Sequence, residues 1–416
     1  MIVDLIITNI KELLTLKGDN KPRIKAAMKD LGIINDAVVV INGGKIQAVG
    51  KVADISNKFK PKKIIDAKNK IVMPGFVDPH THPVFFKTRE KEFDMRIQGK
   101  SYVEISQTGG GIRASIEGVR KNSEAVLYKL SKKRVKEIMS YGTTTLEAKS
   151  GYGLSTESEI KMLKVIKKLG ENSPIDIKAT FLGAHEYPKK YKDNHSKYIQ
   201  ILKNEMIPEV ANKNLAEYCD VFCEEHVFNI NESRDILSTA RKKGFKIRMH
   251  ADEIKPIGGA ELAAEIGAVS ADHLGAASDK GLQAMKEAGV IPILLPGTIF
   301  SLGMKSYARA RDMIELGLPV ALATDYNPGS CNLANMQMVI TLAALEMKMT
   351  TAEAITAATI NAAHSLEMGN IVGSLEKDKQ ADLLIMDMPT YKYLPYHFGA
   401  NNVETVIKRG KIIWQK

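Results

Sequence analysis

Through the middle of the chain, short unbroken apolar runs alternate with stretches in which apolar residues return every three or four positions. The runs predict strands buried on both faces, and the periodic stretches predict amphipathic helices that cover them. The predicted strands end near His82, Tyr152, His185, Val227, His250, His273, Pro296 and Asp325. Residues 158–169, 232–243 and 260–267 are among the predicted helices. Eight β/α units over roughly 260 residues match a closed parallel barrel, where functional groups gather at the strand ends. Most of these strand ends carry a histidine or an acid, a placement that a random scatter of nine histidines would seldom give.

Both chain ends have a different texture. Ala37-Val38-Val39-Val40-Ile41, the turn Asn42-Gly43-Gly44 and Lys45-Ile46-Gln47-Ala48-Val49 read as a hairpin. Ala381-Asp382-Leu383-Leu384-Ile385-Met386, Val403-Glu404-Thr405-Val406-Ile407 and Gly410-Lys411-Ile412-Ile413-Trp414 repeat that texture near the other end. The expected fold class is therefore α/β. A (β/α)8 TIM-like barrel would span residues 69–366, with a composite β-sandwich domain built from residues 1–68 and 367–416.

Composition narrows the function. With 416 residues, 44% of them hydrophobic and 26% charged, the chain has material for one large barrel with an appendage. An acid in Met1-Ile2-Val3-Asp4-Leu5 stands where a signal peptide needs basic residues. No apolar run reaches the roughly 20 residues of a membrane span. Cys219, Cys223 and Cys331 lack metal-knuckle spacing and read as reduced thiols, so a cytoplasmic location is expected. The net charge of +11 invites a nucleic-acid reading. The lysine clusters, such as Lys132-Lys133-Arg134 and Arg241-Lys242-Lys243, fall on helix faces without interleaved aromatic residues that would stack on bases. An anionic small-molecule substrate fits better, with no nucleic-acid or membrane partner; a homodimer is the expected assembly.

Asp78-Pro79-His80-Thr81-His82 closes the first apolar run, and side chains two apart on an extended backbone point the same way. His80 and His82 can therefore share one metal ion, although a loop that happens to hold two histidines reads equally well in isolation. His250 ends another strand and completes a three-histidine set. Asp325 ends a third; it is either an N-cap or an acid ionised against a metal or cation. Three imidazoles and a carboxylate suit Zn²⁺ or a similar first-row ion with a position left for water. Glu253, one short turn past His250, is placed to reach such a water. His273 and His185 are either hydrogen-bond donors to a substrate or buried histidines satisfied by backbone. His226 is either lining or core, and His195, His364 and His397 read as structural. A carboxylated Lys149 would bridge two metals; an ordinary ammonium, and one metal, is expected.

These motifs resemble the amidohydrolase superfamily, and closely its imidazolonepropionases, over nearly the whole chain. The resemblance is carried by Asp78-Pro79-His80-Thr81-His82, Arg89 with Glu92-Phe93, and Tyr102-Val103-Glu104-Ile105 before Gly109-Gly110-Gly111-Ile112. It continues in Lys149-Ser150-Gly151-Tyr152-Gly153, His250-Ala251-Asp252-Glu253, Leu295-Pro296-Gly297-Thr298 and Asp325-Tyr326-Asn327-Pro328-Gly329-Ser330. Lys87, His226 and Asp378 stand where glycines are expected. The resemblance implies hydrolysis of the ring amide of 4-imidazolone-5-propanoate to N-formimino-L-glutamate, with one divalent or trivalent ion, Zn or Fe, on His80, His82, His250 and Asp325. Glu253, His273 and Asp325 would carry the catalysis. Arg89, Tyr152, His185, Glu253, Asn327, Gly329 and Ser330 would bind the substrate. A deaminase of the same superfamily, acting on a base such as guanine, is the nearest rival.

Overall fold

The computed structural model describes residues 1–55, 58–100, 104 and 110–416. Tyr102, Val103, Ile105 and Gly109 of the motifs above lie outside the described residues.

Among the described residues, fifteen strands run in chain order. The first four are β1 (Ile2–Leu14), β2 (Ile33–Asn42), β3 (Lys45–Lys51) and β4 (Lys60–Pro74). The barrel strands are β5 (Phe76–Asp78), β6 (Thr143–Lys149), β7 (Asp176–Ala184), β8 (Tyr218–Cys223), β9 (Lys246–Ala251), β10 (Ser270–His273), β11 (Ile291–Leu294) and β12 (Ala321–Leu322). The last three are β13 (Leu383–Met386), β14 (Val403–Lys408) and β15 (Lys411–Gln415).

Strands β5 to β12 form one eight-stranded sheet in sequence order, every paired neighbour parallel, as the buried apolar runs predict. The helices between them bury one stripe each. The helix Thr156–Asn172 turns Ile160, Leu163, Ile166 and Leu169 inward, and Ser155 caps its start by accepting Ser158 N–H. The helix Ile230–Lys242 opens on a capping box of Asn229 and Glu232 and buries Ile236, Leu237 and Ala240. Each of these isoleucines and leucines contributes about 1.5–3 kcal/mol when fully buried, which outweighs the few tenths that helix propensity decides.

The two ends of the chain meet in one seven-stranded mixed sheet, ordered β15-β14-β13-β4-β1-β2-β3. One face gathers Leu5, Ile7, Leu13, Val39, Ile41, Leu383, Ile385 and Ile407 into a core of its own. Leu384, Met386, Val403 and Val406 join the barrel's core instead. The expected boundary at residue 68 falls inside β4. That strand pairs with β1 from Lys60 to Val72 and then with β13 from Ile71 to Pro74, so the sheet reaches Pro74. The Lys68-Asn69 kink, with positive φ at both residues, interrupts the apolar pattern without ending the strand.

Closure of the barrel is local to the site. Past the end of β5, Thr81 pairs with Tyr326; His82 N–H donates to Tyr326 O at 2.8 Å and Asp325 N–H to His80 O at 3.1 Å. Beneath them the buried Asp78 carboxylate accepts Thr324 N–H (3.0 Å) and Thr324 Oγ1–H (2.6 Å). The segments that close the cylinder are thus the ones that carry His80, His82 and Asp325.

Candidate active site

His80, His82 and His250 converge, with one ligand nitrogen of each lying within 4.8 Å of the others. All three are buried, as is Asp325. His80 Nδ1 is 2.6 Å from Asp272 Oδ2, and His250 Nδ1 is 3.1 Å from Asp220 Oδ1. These carboxylates take the Nδ1 hydrogens, which leaves both Nε2 lone pairs for the cluster centre, the usual arrangement around a metal-binding histidine. His80 Nε2 and His82 Nε2 stand 3.2 Å apart. Two nitrogens bound tetrahedrally to one ion at 2.0–2.1 Å would be about 3.3 Å apart. Asp325 Oδ1 completes the set at 3.6 Å from both nitrogens, while its Oδ2 accepts Thr298 Oγ1–H at 2.5 Å. The donor set therefore fits a single first-row cation.

Electrostatics agree. Burial, then Lys149, pushes His80 well below the ordinary histidine range, and burial with His185 does the same to His82. Both are neutral, as ligation requires. His250 goes the other way: burial lowers it, but Asp220 outweighs burial and attracts a proton that a bound cation would displace.

Below the histidines, Lys149 Nζ is 2.8 Å from Glu147 Oε1, 2.8 Å from Asp220 Oδ2 and 3.5 Å from Asp272 Oδ2, all fully buried. Burial alone would push Lys149 down; the three carboxylates override it and hold the ammonium above its ordinary range. A carbamate here would set a fourth negative charge among three, so Lys149 acts as the cation that balances the acids under the site. Arg248 adds a second positive charge, donating to Pro79 O and Ser365 O at 2.8 and 2.9 Å.

Above the histidines opens a cavity of about 610 Å³. His82, His250, Asp325, Glu253, His273, Arg89, Tyr152, His185, Asn327, Gly329 and Ser330 all line it; His80 sits behind the wall. A neighbouring cavity of about 680 Å³ shares Arg89 and Gly329 but contains none of the histidines, so the chemistry belongs to the smaller one. Desolvation raises the Glu253 carboxyl to about 7, and Glu253 Oε1 lies 3.5 Å from His273 Nδ1. His185 Nδ1 donates to Gly151 O at 3.0 Å. Arg89 is turned into the cavity by Glu92, whose Oε2 accepts Nε–H and Nη2–H at 2.9 and 2.6 Å. A Cβ on Gly329 would come within 2.1 Å of Arg89 Nη1, so glycine is what lets the guanidinium lie against this loop. Asn327 is engaged within the loop: Oδ1 accepts Gly329 N–H and Ser330 N–H at 2.8 Å each, and Nδ2 donates to Ser330 Oγ. His226 is an exposed residue at the mouth rather than core.

Several strand ends differ from expectation. β6 stops at Lys149 rather than Tyr152, β8 at Cys223 rather than Val227, and β12 at Leu322 rather than Asp325. In each case the chain leaves the ladder early and curls over the mouth. Positive φ at Asp325 (53°) lies on the last of these departures, and Asp252 (47°) and His273 (74°) carry it at the ends of β9 and β10, a strain typical of functional sites. Sequence reasoning missed Asp220, Asp272 and Thr298, which orient the ligands, and Glu224, which accepts Ile254 N–H at 2.9 Å beside Glu253. A signal was available. Charged or polar residues alternate along otherwise apolar strands as Glu147/Lys149, Arg248/His250 and Ser270/Asp272, and period two places each pair on the barrel's inner face.

The amidohydrolase family pattern matches residues 71–413. An imidazolonepropionase of Alkaliphilus oremlandii is 48% identical, covering 100% of this chain and 99% of that protein. One from Geobacillus kaustophilus is 48% identical over 98% of this chain and 97% of its own length. Among solved structures, Escherichia coli guanine deaminase superposes with a TM-score of 0.74 at 14% identity, covering 99% of both chains. An adenosine deaminase from Xanthomonas campestris with bound zinc gives 0.72 at 18% identity, over 99% of this chain and 93% of that one. The deaminases share the fold; full-length identity near one half goes further, and the chain belongs to the amidohydrolase family, among its imidazolonepropionases.

Proposed function

We propose that the chain hydrolyses the ring amide C–N bond of 4-imidazolone-5-propanoate, giving N-formimino-L-glutamate, the third step of histidine degradation. The observation that carries the reading is a single cavity with a three-histidine cluster at its floor and an oriented arginine on its wall. One end suits hydrolysis and the other suits a carboxylate, and the substrate has both an amide ring and a propionate.

One ion, zinc or iron, on His80, His82, His250 and Asp325 would supply Lewis-acid polarisation and a water acidic enough to ionise near neutral pH. Glu253 takes a proton from the attacking water and returns it to the ring nitrogen as the C–N bond breaks; a carboxyl near pH 7 is matched to moving a proton in both directions. His273 faces Glu253 through Nδ1 at 3.5 Å, and in the neutral tautomer that carries its hydrogen on Nε2 it donates that hydrogen to the oxyanion. Asp325, held by Thr298, keeps one oxygen toward the histidines and is a second proton acceptor. His185, with Nδ1 committed to Gly151 O, offers Nε2 to the heterocycle. Arg89 meets the propionate with the guanidinium edge that Glu92 leaves open. Tyr152 and the 327–330 loop close the remaining wall.

Incubation of the metal-loaded protein with imidazolone propanoate, following substrate loss and formiminoglutamate formation, tests the reading. Guanine is the control. Ammonia from guanine with no turnover of imidazolone propanoate would replace this function with a deaminase.

A further inference from the structure

The loop 150–154 carries Tyr152 into the cavity, and its backbone is gripped from two sides. Glu159, fully buried in the first turn of the helix Thr156–Asn172, accepts the N–H groups of Gly151 (3.0 Å), Gly153 (2.7 Å) and Leu154 (2.9 Å). The first two flank Tyr152. Opposite, Arg120 donates Nε–H to Gly153 O and Nη2–H to Leu154 O, at 2.8 Å each. A third carbonyl of the loop, Gly151 O, accepts His185 Nδ1–H, which fixes the tautomer that offers Nε2 to the cavity. The fit is tight. Gly151 has φ +109°, where a Cβ would meet His185 Nδ1 at 2.8 Å, and a Cβ on Gly153 would meet Glu159 N at 2.5 Å.

A carboxylate buried this deeply loses its hydration, and no ion pair to Glu159 exists among the described residues. Packing alone would be served by an apolar side chain in that place. A carboxylate earns its position by presenting two oxygens to several N–H groups at once, in charge-assisted bonds of fixed direction.

We infer that Glu159, with Arg120 across the loop, is a positioning residue for substrate: it sets Tyr152 and His185 against the heterocycle and its side chain while touching neither substrate nor metal. The inference rests on the proposed substrate. It concerns a residue on a helix behind the wall, which acts through the Gly151–Tyr152–Gly153 backbone.

Metal-loaded Glu159→Gln tests it, since the amide keeps the size but turns an NH2 toward a backbone N–H. KM for imidazolone propanoate should rise about tenfold or more, the scale of losing a charge-assisted bond, with kcat much less affected. Metal content should match wild type. In a double-mutant cycle, Glu159→Gln with Tyr152→Phe should be no worse than the poorer single variant within about twofold, because both remove the same contact. Arg120→Lys, which keeps the charge but loses the two-point grip, should raise KM in the same direction and covers the case in which the glutamine variant folds poorly. An unchanged KM, additive losses in the cycle, or a KM change that follows metal loss would overturn the inference. Failure of wild type itself to turn over imidazolone propanoate would sink the substrate reading instead, so the two failures are distinguishable.

Discussion

Asp272 Oδ2 lies 2.6 Å from His80 Nδ1, and the same oxygen is 3.5 Å from Lys149 Nζ. One carboxylate thus orients a ligand on one side and is balanced by a buried cation on the other. Asp220 repeats the arrangement between His250 Nδ1 and Lys149, so two histidines of the cluster share a counterion beneath them.

Asp272→Asn and Asp220→Asn should each weaken metal affinity about 10–100-fold, the usual cost of losing such a partner. Loss of His80, His82, His250 or Asp325 to alanine should empty the site or remove nearly all activity. Metal content after dialysis against graded chelator checks both. An alanine variant with full metal content and wild-type turnover would remove that residue from the ligand set.

Lys149→Met should destabilise the fold by about 3–5 kcal/mol, because it leaves three buried carboxylates short of a charge. Denaturant unfolding of the metal-free protein measures the loss without interference from the ion. A change within about 0.5 kcal/mol, typical of a surface substitution, would show that the network tolerates the missing cation.

Glu253→Gln should keep metal and lose about 10²–10⁴ in kcat. It should also remove a pH effect. The native carboxyl titrates near 7 against an ordinary value of 4.5, so between those values the folded state binds a proton that the unfolded state lacks. Stability therefore falls as pH rises through that window, and the whole penalty is present above it. In metal-stripped protein, the glutamine variant should melt above wild type near pH 8 and level with it near pH 4. Equal melting at both pH values would remove the desolvation penalty from Glu253.

Arg89→Ala should lower kcat/KM by about 2–4 kcal/mol through loss of a desolvated charge-assisted pair. Arg89→Lys should lose much of the same, since it keeps charge without the fork. Gly329→Ala should mimic these variants, because its methyl would occupy the place of Arg89 Nη1. An imidazolone lacking the propionate is the control on which wild type and Arg89→Ala should perform alike. Wild-type kinetics in Arg89→Ala would place the carboxylate elsewhere.

Much of this was legible along the chain because it depends on neighbours in sequence. Apolar period separates strand from helix, so the barrel's eight units and its covering helices follow from local pattern. His80 and His82 face one way because they are two apart on extended backbone. The motif around Asp325 likewise keeps its own loop together: Asn327 bonds to residues two and three positions on.

The partners of those groups were decided by the tertiary structure. Asp272 reaches His80 across 192 residues, Asp220 reaches Lys149 across 71, and Thr324 reaches Asp78 across 246. Local alternation marks Lys149 as facing inward but does not say which acid it meets; only adjacency of their strands around a closed cylinder brings Lys149 and Asp220 within hydrogen-bond range, and burial then makes each dependent on the others. Glu159 shows the same limit, being to its own helix an acid in the first turn and to the fold a clamp on the Tyr152 loop. The sequence by itself determined which residue types could hold a metal and where, to within a few residues, the strands lie. Tertiary packing determined the charge balance and orientation that make those residues a site, because both are properties of a shared low-dielectric interior and not of any segment.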